Sequence, residues 1–375
     1  MKKKTTLGVI FGNRDFFPDH LVTSARADIA ALFEAEELRA VMLSEEDSKL
    51  GGVETHADAA RCADLFKRHR EEIDGVLVVL PNFGDEKGVA DTLKLAGLDA
   101  PVLVQGYPDE LDKLEPASRR DAFCGKISVC NNLRQYGIPF TVTEKHTVHP
   151  SADSFKSDLR RFVAVCRVVR GMRSVRIGAV GARPGAFNTV RYSEKILERN
   201  GISVTTVDLS EILAAAEKLS SDEGRVKGKI EEFGAYARTD AVPADKLHQM
   251  ATLDLALADF VAENALDATA IQCWTSVQAN QGCNVCTSMS MMSEAMKPSA
   301  CEVDVTGALT MYAMQLASSS PSALVDWNIT YGVDDYKCVL VHCGHWAKSF
   351  IPDVAVKTAT ILGSIVGTDR TWGAL

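Results

Sequence analysis

Gly75-Val76-Leu77-Val78-Val79-Leu80 is an unbroken apolar run set between Glu71-Glu72-Ile73-Asp74 and Pro81-Asn82-Phe83. Six residues are short for a helix, and a strand with no polar position offers no face to water. Such a strand belongs inside a parallel sheet covered on both sides by helices. Reading outward, residues 7–11 form a second apolar strand, 20–35 a helix, 38–43 a strand, 57–70 and 86–95 helices and 101–105 a strand. Strand and helix alternate with short connections, the pattern of a doubly wound α/β domain.

The second half repeats the pattern. A long amphipathic helix over 154–170 stops at Gly171, a helix-ending residue. Strands are expected at 175–180, 203–207, 268–272, 323–325 and 337–342, with helices over 190–199, 211–232, 247–264 and 304–316. The fold class is α/β, with two Rossmann-like or flavodoxin-like domains over 1–172 and 173–353. Residues 354–375 are expected to start a C-terminal domain that is cut short.

The 375 residues are 46% hydrophobic and 24% charged, with a net charge of −9, a globular composition that argues against nucleic acid as a partner. No apolar run approaches the ~18 residues of a membrane span. Met1-Lys2-Lys3-Lys4 is basic, but the apolar stretch after it is too short for a signal peptide, so a cytoplasmic protein is expected. The ten cysteines, with Cys130, Cys166, Cys273, Cys301 and Cys338 among aliphatic neighbours, read as reduced, small apolar residues.

In open parallel sheets ligands gather beyond the carboxyl ends of the strands. Those positions hold Gly12-Asn13-Arg14, Pro81-Asn82-Phe83, Gln272-Cys273-Trp274, Asp326-Trp327-Asn328 and His342-Cys343-Gly344-His345. If Glu302 and Asp326 face one crevice, their carboxylates can share a hard cation, Mn²⁺ or Mg²⁺ rather than zinc. Each also has a plainer explanation, Glu302 as a helix N-terminal acid and Asp326 as a turn residue. Cys283-Asn284-Val285-Cys286 is a single pair with no second one spaced for zinc. Gly178-Ala-Val-Gly-Ala-Arg-Pro-Gly185 departs from the dinucleotide fingerprint. Met289, Met292 and Met296 read as core.

Taken in order, Ile271-Gln272-Cys273-Trp274, Ala300-Cys301-Glu302-Val303-Asp304-Val305-Thr306-Gly307-Ala308, Ala323-Leu324-Val325-Asp326-Trp327 and His342-Cys343-Gly344 resemble the L-fucose isomerase-like family. The interval from Glu302 to Asp326 (326 − 302 = 24 residues) and the opening Gly12-Asn13-Arg14 fit the resemblance. It implies two α/β domains and a C-terminal domain, metal-dependent aldose–ketose isomerisation and a homo-oligomer. Glu302 and Asp326 become the metal ligands and the catalytic acid/base pair, with Mn²⁺ or another divalent cation such as Mg²⁺. Gln272 becomes a substrate hydroxyl contact, Arg14 a residue offered to a neighbouring subunit's site, and Trp274, His342 and Cys343 pocket lining. The family's remaining metal ligand, a C-terminal-domain histidine, is expected to be missing, with His342 or His345 substituting only through an unusual geometry. The sugar stays open among fucose, arabinose, another deoxy sugar and a sulfonated sugar. The other reading is a non-catalytic sugar-binding or regulatory module of the same architecture.

Overall fold

Burial of one strand on both faces organises the first half of the chain. In this computed structural model, which describes residues 4–342, 344–351 and 353–375, strands Thr6–Phe11 (β1), Arg39–Val41 (β2), Ile73–Leu80 (β3), Val102–Gly106 (β4) and Thr141–Val142 (β5) form one parallel sheet. Their order is β2-β1-β3-β4-β5. Every residue of β3 is buried. Val76, Val78 and Leu80 enter one core, while Leu77 and Val79 enter another on the opposite face. Helices His20–Ala35 (α1), His56–Arg68 (α2), Glu86–Ala96 (α3), Ala122–Gln135 (α4) and Asp153–Met172 (α5) supply the cover. Local chemistry sets their ends. Thr55 and Asp58 form a reciprocal capping box on α2, and Asp85 caps α3, which stops at Gly97 with φ +57°. The sequence reading did not include α4 or β5.

The second half builds a parallel sheet from Arg176–Val180 (β6), Ser203–Val207 (β7), Ala268–Ile271 (β8) and Ser299–Ala300 (β9), in the order β7-β6-β8-β9. Helices Glu194–Arg199 (α6), Leu209–Leu219 (α7), Glu223–Tyr236 (α8), Ala244–Glu263 (α9), Ser276–Gln281 (α10), Cys286–Glu294 (α11) and Val305–Ser318 (α12) accompany it. The stretch expected as one helix over 211–232 is two, because the Asp222 side chain accepts from Arg225 N at 3.1 Å and starts a new helix there. The molecule divides into compact units Met1–Arg170 and Gly171–Leu375, each described here by itself.

Two expectations change. Residues 323–325 are not a strand. The fourth strand of the second sheet is β9, and Asp326–Tyr331 (β10) pairs antiparallel with Asp334–Val341 (β11) in a separate, largely exposed hairpin. The strand starts one residue beyond the expected run, at Asp326, and its apolar positions, Trp327 among them, face solvent rather than a core. The tail does not form a body of its own either. Val354 and Val356 are buried in the core of the second unit, and Arg238 bridges to Ala355. Lys357–Thr358 (β12) pairs with Trp372–Ala374 (β13) beyond Thr360–Val366 (α13). Asn284 Nδ2 donates to Thr371 O at 2.8 Å and Thr287 Oγ1 to Gly373 O at 2.8 Å, which ties this tail to α11. Among the described residues no helix is long and apolar enough to cross a membrane.

Gly75 shows how closely α5 meets β3: a Cβ there would lie 2.4 Å from Cys166 Sγ and 3.1 Å from the Phe162 ring. Gly75→Ala is therefore expected to destabilise the first unit by about 1–3 kcal/mol through overpacking. Urea unfolding checks this, and an unchanged midpoint would contradict the close contact.

Candidate functional site

Glu302 lies in a tight turn between β9 and α12. Asp304 N donates to Cys301 O at 2.9 Å, closing four residues whose central pair, Glu302 and Val303, both have positive φ, +57° and +55°. Positive φ at both central positions is the habit of a type I′ turn, which ordinarily takes Asn or Gly. L-residues there cost about 1–2 kcal/mol each, and a β-branched valine is especially poorly suited. The surroundings hold the turn in place. Asp304 caps α12, accepting from Gly307 N at 2.7 Å and Thr306 Oγ1 at 3.0 Å, while Val303 and Val305 are buried. Backbone strain maintained in this way is a mark of functional sites.

The turn directs the Glu302 carboxylate toward the end of β8. Trp274 Nε1 donates to its Oε1 at 3.2 Å, Cys273 Sγ lies 3.6 Å from the same oxygen, and His342 Nε2 is 3.7 Å from Oε2. Burial pushes the Glu302 carboxyl up, but the hydrogen bonds from His342 and Trp274 outweigh it and hold the group below its ordinary value. Glu302 is thus a carboxylate at neutral pH. Phe187 meets the Trp274 ring edge-on at 5.5 Å, and Gln278 Nε2 donates to Cys273 O at 2.7 Å, fixing the strand end.

Around Glu302 the structure gathers residues that the sequence reading gave little weight. Cys301, His342 and His345 bring their ligand atoms within 4.8 Å of one another, and Cys273, Cys301 and Glu302 do the same. The Cys301 thiol is pushed well up by its hydrogen bond with the Cys273 thiol and by burial. Burial and the neighbouring His342 lower His345 to about 3, so it is a neutral imidazole. The available sequence signals were the His342-x-x-His345 spacing and a cysteine beside both Glu302 and Gln272.

The remaining expected site residues are scattered. Gln272 Oε1 accepts from Ala182 N at 2.9 Å, so this side chain latches the loop after β6. It also lines a cleft of about 960 Å³ at the carboxyl ends of β6, β7 and β8, with Gly181, Asp208, His248 and Asn280, but the lining does not include Glu302. Because β7 and β8 lie on opposite sides of β6, this is the sheet's switch point, the usual place for a ligand. Asp326 opens β10 rather than ending a strand. It pairs across the hairpin with Val341, beside His342, but its exposed side chain belongs to neither ligand cluster among the described residues. Arg14 is in the first unit, ion-paired with Glu86 and with its guanidinium 4.2 Å over the Phe83 ring. Cys343 lies outside the described residues.

A Mn²⁺ or Mg²⁺ ion takes an oxygen shell. The clustered residues offer one carboxylate among thiols and imidazoles, a donor set that does not fit a hard cation.

Residues 8–173 match the sequence model of the fucose/sulfoquinovose isomerase N-terminal domain. The chain is also similar to the sulfoquinovose isomerase of Priestia megaterium, 27% identical over 237 residues, covering 62% of this chain and 51% of that protein. The sulfoquinovose isomerase of Alkalicoccus urumqiensis is 26% identical over 232 residues, covering 61% and 51%. That of a Clostridium species is 25% identical over 243 residues, covering 62% and 51%. The chain spans about half the length of the curated relatives it matches.

The lowered carboxyl of Glu302 means that the folded chain binds this proton less readily than the unfolded chain. The stability it contributes is present above the ordinary value of 4.5 and is lost as pH falls through the lowered folded value. The stability difference between the wild type and Glu302→Gln should therefore shift against the wild type on acidification, which urea midpoints at neutral and acid pH measure. A difference independent of pH would contradict a carboxylate stabilised by its neighbours.

Proposed function

Because the chain belongs to the L-fucose isomerase-like family, we propose that it interconverts the aldose and ketose forms of a polyhydroxylated sugar. The relatives' names point to sulfoquinovose as the first substrate to try, with fucose and arabinose beside it. One observation carries the reading: a buried, ionised carboxylate, Glu302, held in a strained turn at the carboxyl end of a parallel sheet by an indole and an imidazole.

The chemistry asks for a base over the C1–C2 edge of the open-chain sugar. Glu302 removes the proton from C2 of the aldose. The C–H electron pair becomes the C1–C2 double bond, and the carbonyl oxygen on C1 takes up a proton, giving the enediol. Return of a proton to C1, with loss of the proton on the C2 hydroxyl, yields the ketose. No oxidant or reductant is consumed. A lowered carboxyl value keeps Glu302 ready as an acceptor at neutral pH, at some cost in basicity. The Trp274 N–H and His342 hold the carboxylate's orientation, and the Phe187 ring packs edge-on against Trp274 beside it. The step assigned to this chain is proton transfer alone, since the oxygen shell of a Mn²⁺ or Mg²⁺ ion is not what the clustered residues offer.

Incubation of the whole chain with the sugar panel in D₂O, followed by NMR, tests the proposal. Conversion with solvent deuterium in the product is expected, falling about 10²–10⁴-fold in Glu302→Gln, the usual worth of a general base. Undiminished conversion by the variant, or a product free of deuterium, would rule out the assigned step. Saturable sugar binding without conversion by the wild type would favour the binding-module reading instead.

A further inference from the structure

From the side chains gathered behind Glu302, we propose that the second unit holds a zinc-type cation on Cys301, His342 and His345. Two separate segments bring these residues together. Cys301 follows β9, His342 follows β11, and His345 is returned toward it by a turn at Gly344, whose φ is +74° and whose N–H donates to His342 O at 3.2 Å. The sulfur and the two ring nitrogens lie within 4.8 Å of one another. The imidazoles meet edge-to-face with centroids 4.2 Å apart.

His345 carries the argument. It is only 2% exposed, and among the described residues neither of its ring nitrogens has a hydrogen-bond partner. Buried polar atoms are nearly always paired, and exceptions call for an ion, a water or a functional role. A cation would use one of these nitrogens. Cys301 is fully buried beside it, which marks this as an enclosed site rather than surface chelation.

The donor chemistry selects the ion. Zinc takes sulfur and imidazole nitrogen in a tetrahedron with bonds of about 2.0–2.3 Å, placing neighbouring donors roughly 3.3–3.6 Å apart. The donors, within 4.8 Å of one another, need to draw together by at most about 1.5 Å to reach that range. Cys273 lies within the same reach of Cys301 and offers the fourth position. Manganese and magnesium, which prefer oxygen, are disfavoured here. The site does not depend on the isomerase reading, and its test involves no sugar, so the two can fail separately.

The reduced full chain, stripped with a chelator, is titrated with Zn²⁺ in competition with a chromophoric chelator and separately with Co²⁺. One tightly bound Zn²⁺ per chain is expected, weakened by about 100-fold or more in Cys301→Ser and in His345→Gln, since even an outer partner of a ligand is worth about 10–100-fold. The Co²⁺ form should show thiolate-to-cobalt absorption and tetrahedral visible bands. Zinc affinity unchanged in His345→Gln, or a wild-type Co²⁺ spectrum without thiolate absorption, would overturn the proposal. The wild-type Co²⁺ spectrum keeps the test decisive where a variant is recovered unfolded.

Discussion

A strand buried on both faces admits few polar side chains, each needing a partner as Asp74 and Thr269 do, and most polar groups fall beyond its end. β3 and β8 are such strands, every residue buried. Parallel pairing then aligns the carboxyl ends of neighbouring strands along one edge of the sheet. Polar, aromatic and thiol groups excluded from the interior collect there: Asn13, Asn82 and Arg14 in the first unit, Gln272, Cys273, Trp274 and Glu302 in the second. In the first unit this edge is internally satisfied. Asn82 Nδ2 donates to Asn13 Oδ1 at 2.5 Å, Asn13 Nδ2 donates to Asp19 at 3.1 Å, and Arg14 is paired with Glu86. In the second unit Gln272 and Glu302 are likewise hydrogen-bonded, but among the described residues both ring nitrogens of the buried His345 lack a partner.

The turn at Glu302 explains how a short sheet delivers a carboxylate to that edge. β9 is only two residues long, so the chain must reverse at once and begin α12. A left-handed pair at Glu302 and Val303 does this, at a cost recovered from the capping bonds of Asp304 and burial of the flanking valines. A glycine there would relieve the backbone and lose the carboxylate. The geometry thus couples a strained backbone to one useful side chain, and the indole of Trp274 and the imidazole of His342 keep that side chain ionised despite its burial.

The same edge brings two kinds of chemistry into contact. The Glu302 carboxylate and the Trp274 indole meet the sulfur donors of Cys273 and Cys301 there, and Cys301 in turn meets the imidazoles of His342 and His345. The tail over residues 354–375 packs against the same unit through Val354, Val356 and Trp372. The segment carrying His342 and His345 therefore runs from an exposed hairpin to a tail fixed to the core.

The sequence by itself determined the layered α/β architecture, because apolar runs such as 75–80 admit only a strand covered on both faces, and capping residues such as Thr55 and Asp85 mark their helices locally. It also marked Trp274 and His342 as residues at strand ends and Glu302 as an acid at the start of a helix. Tertiary structure decided which of these meet. Asp326, 24 residues beyond Glu302, opens an exposed hairpin, because a stretch of aromatic and β-branched residues specifies a strand without specifying the sheet it joins. Cys301 and His345 come together only after two segments far apart in sequence have packed. Local periodicity encodes which face of an element is buried; it does not encode which distant side chain will be waiting there.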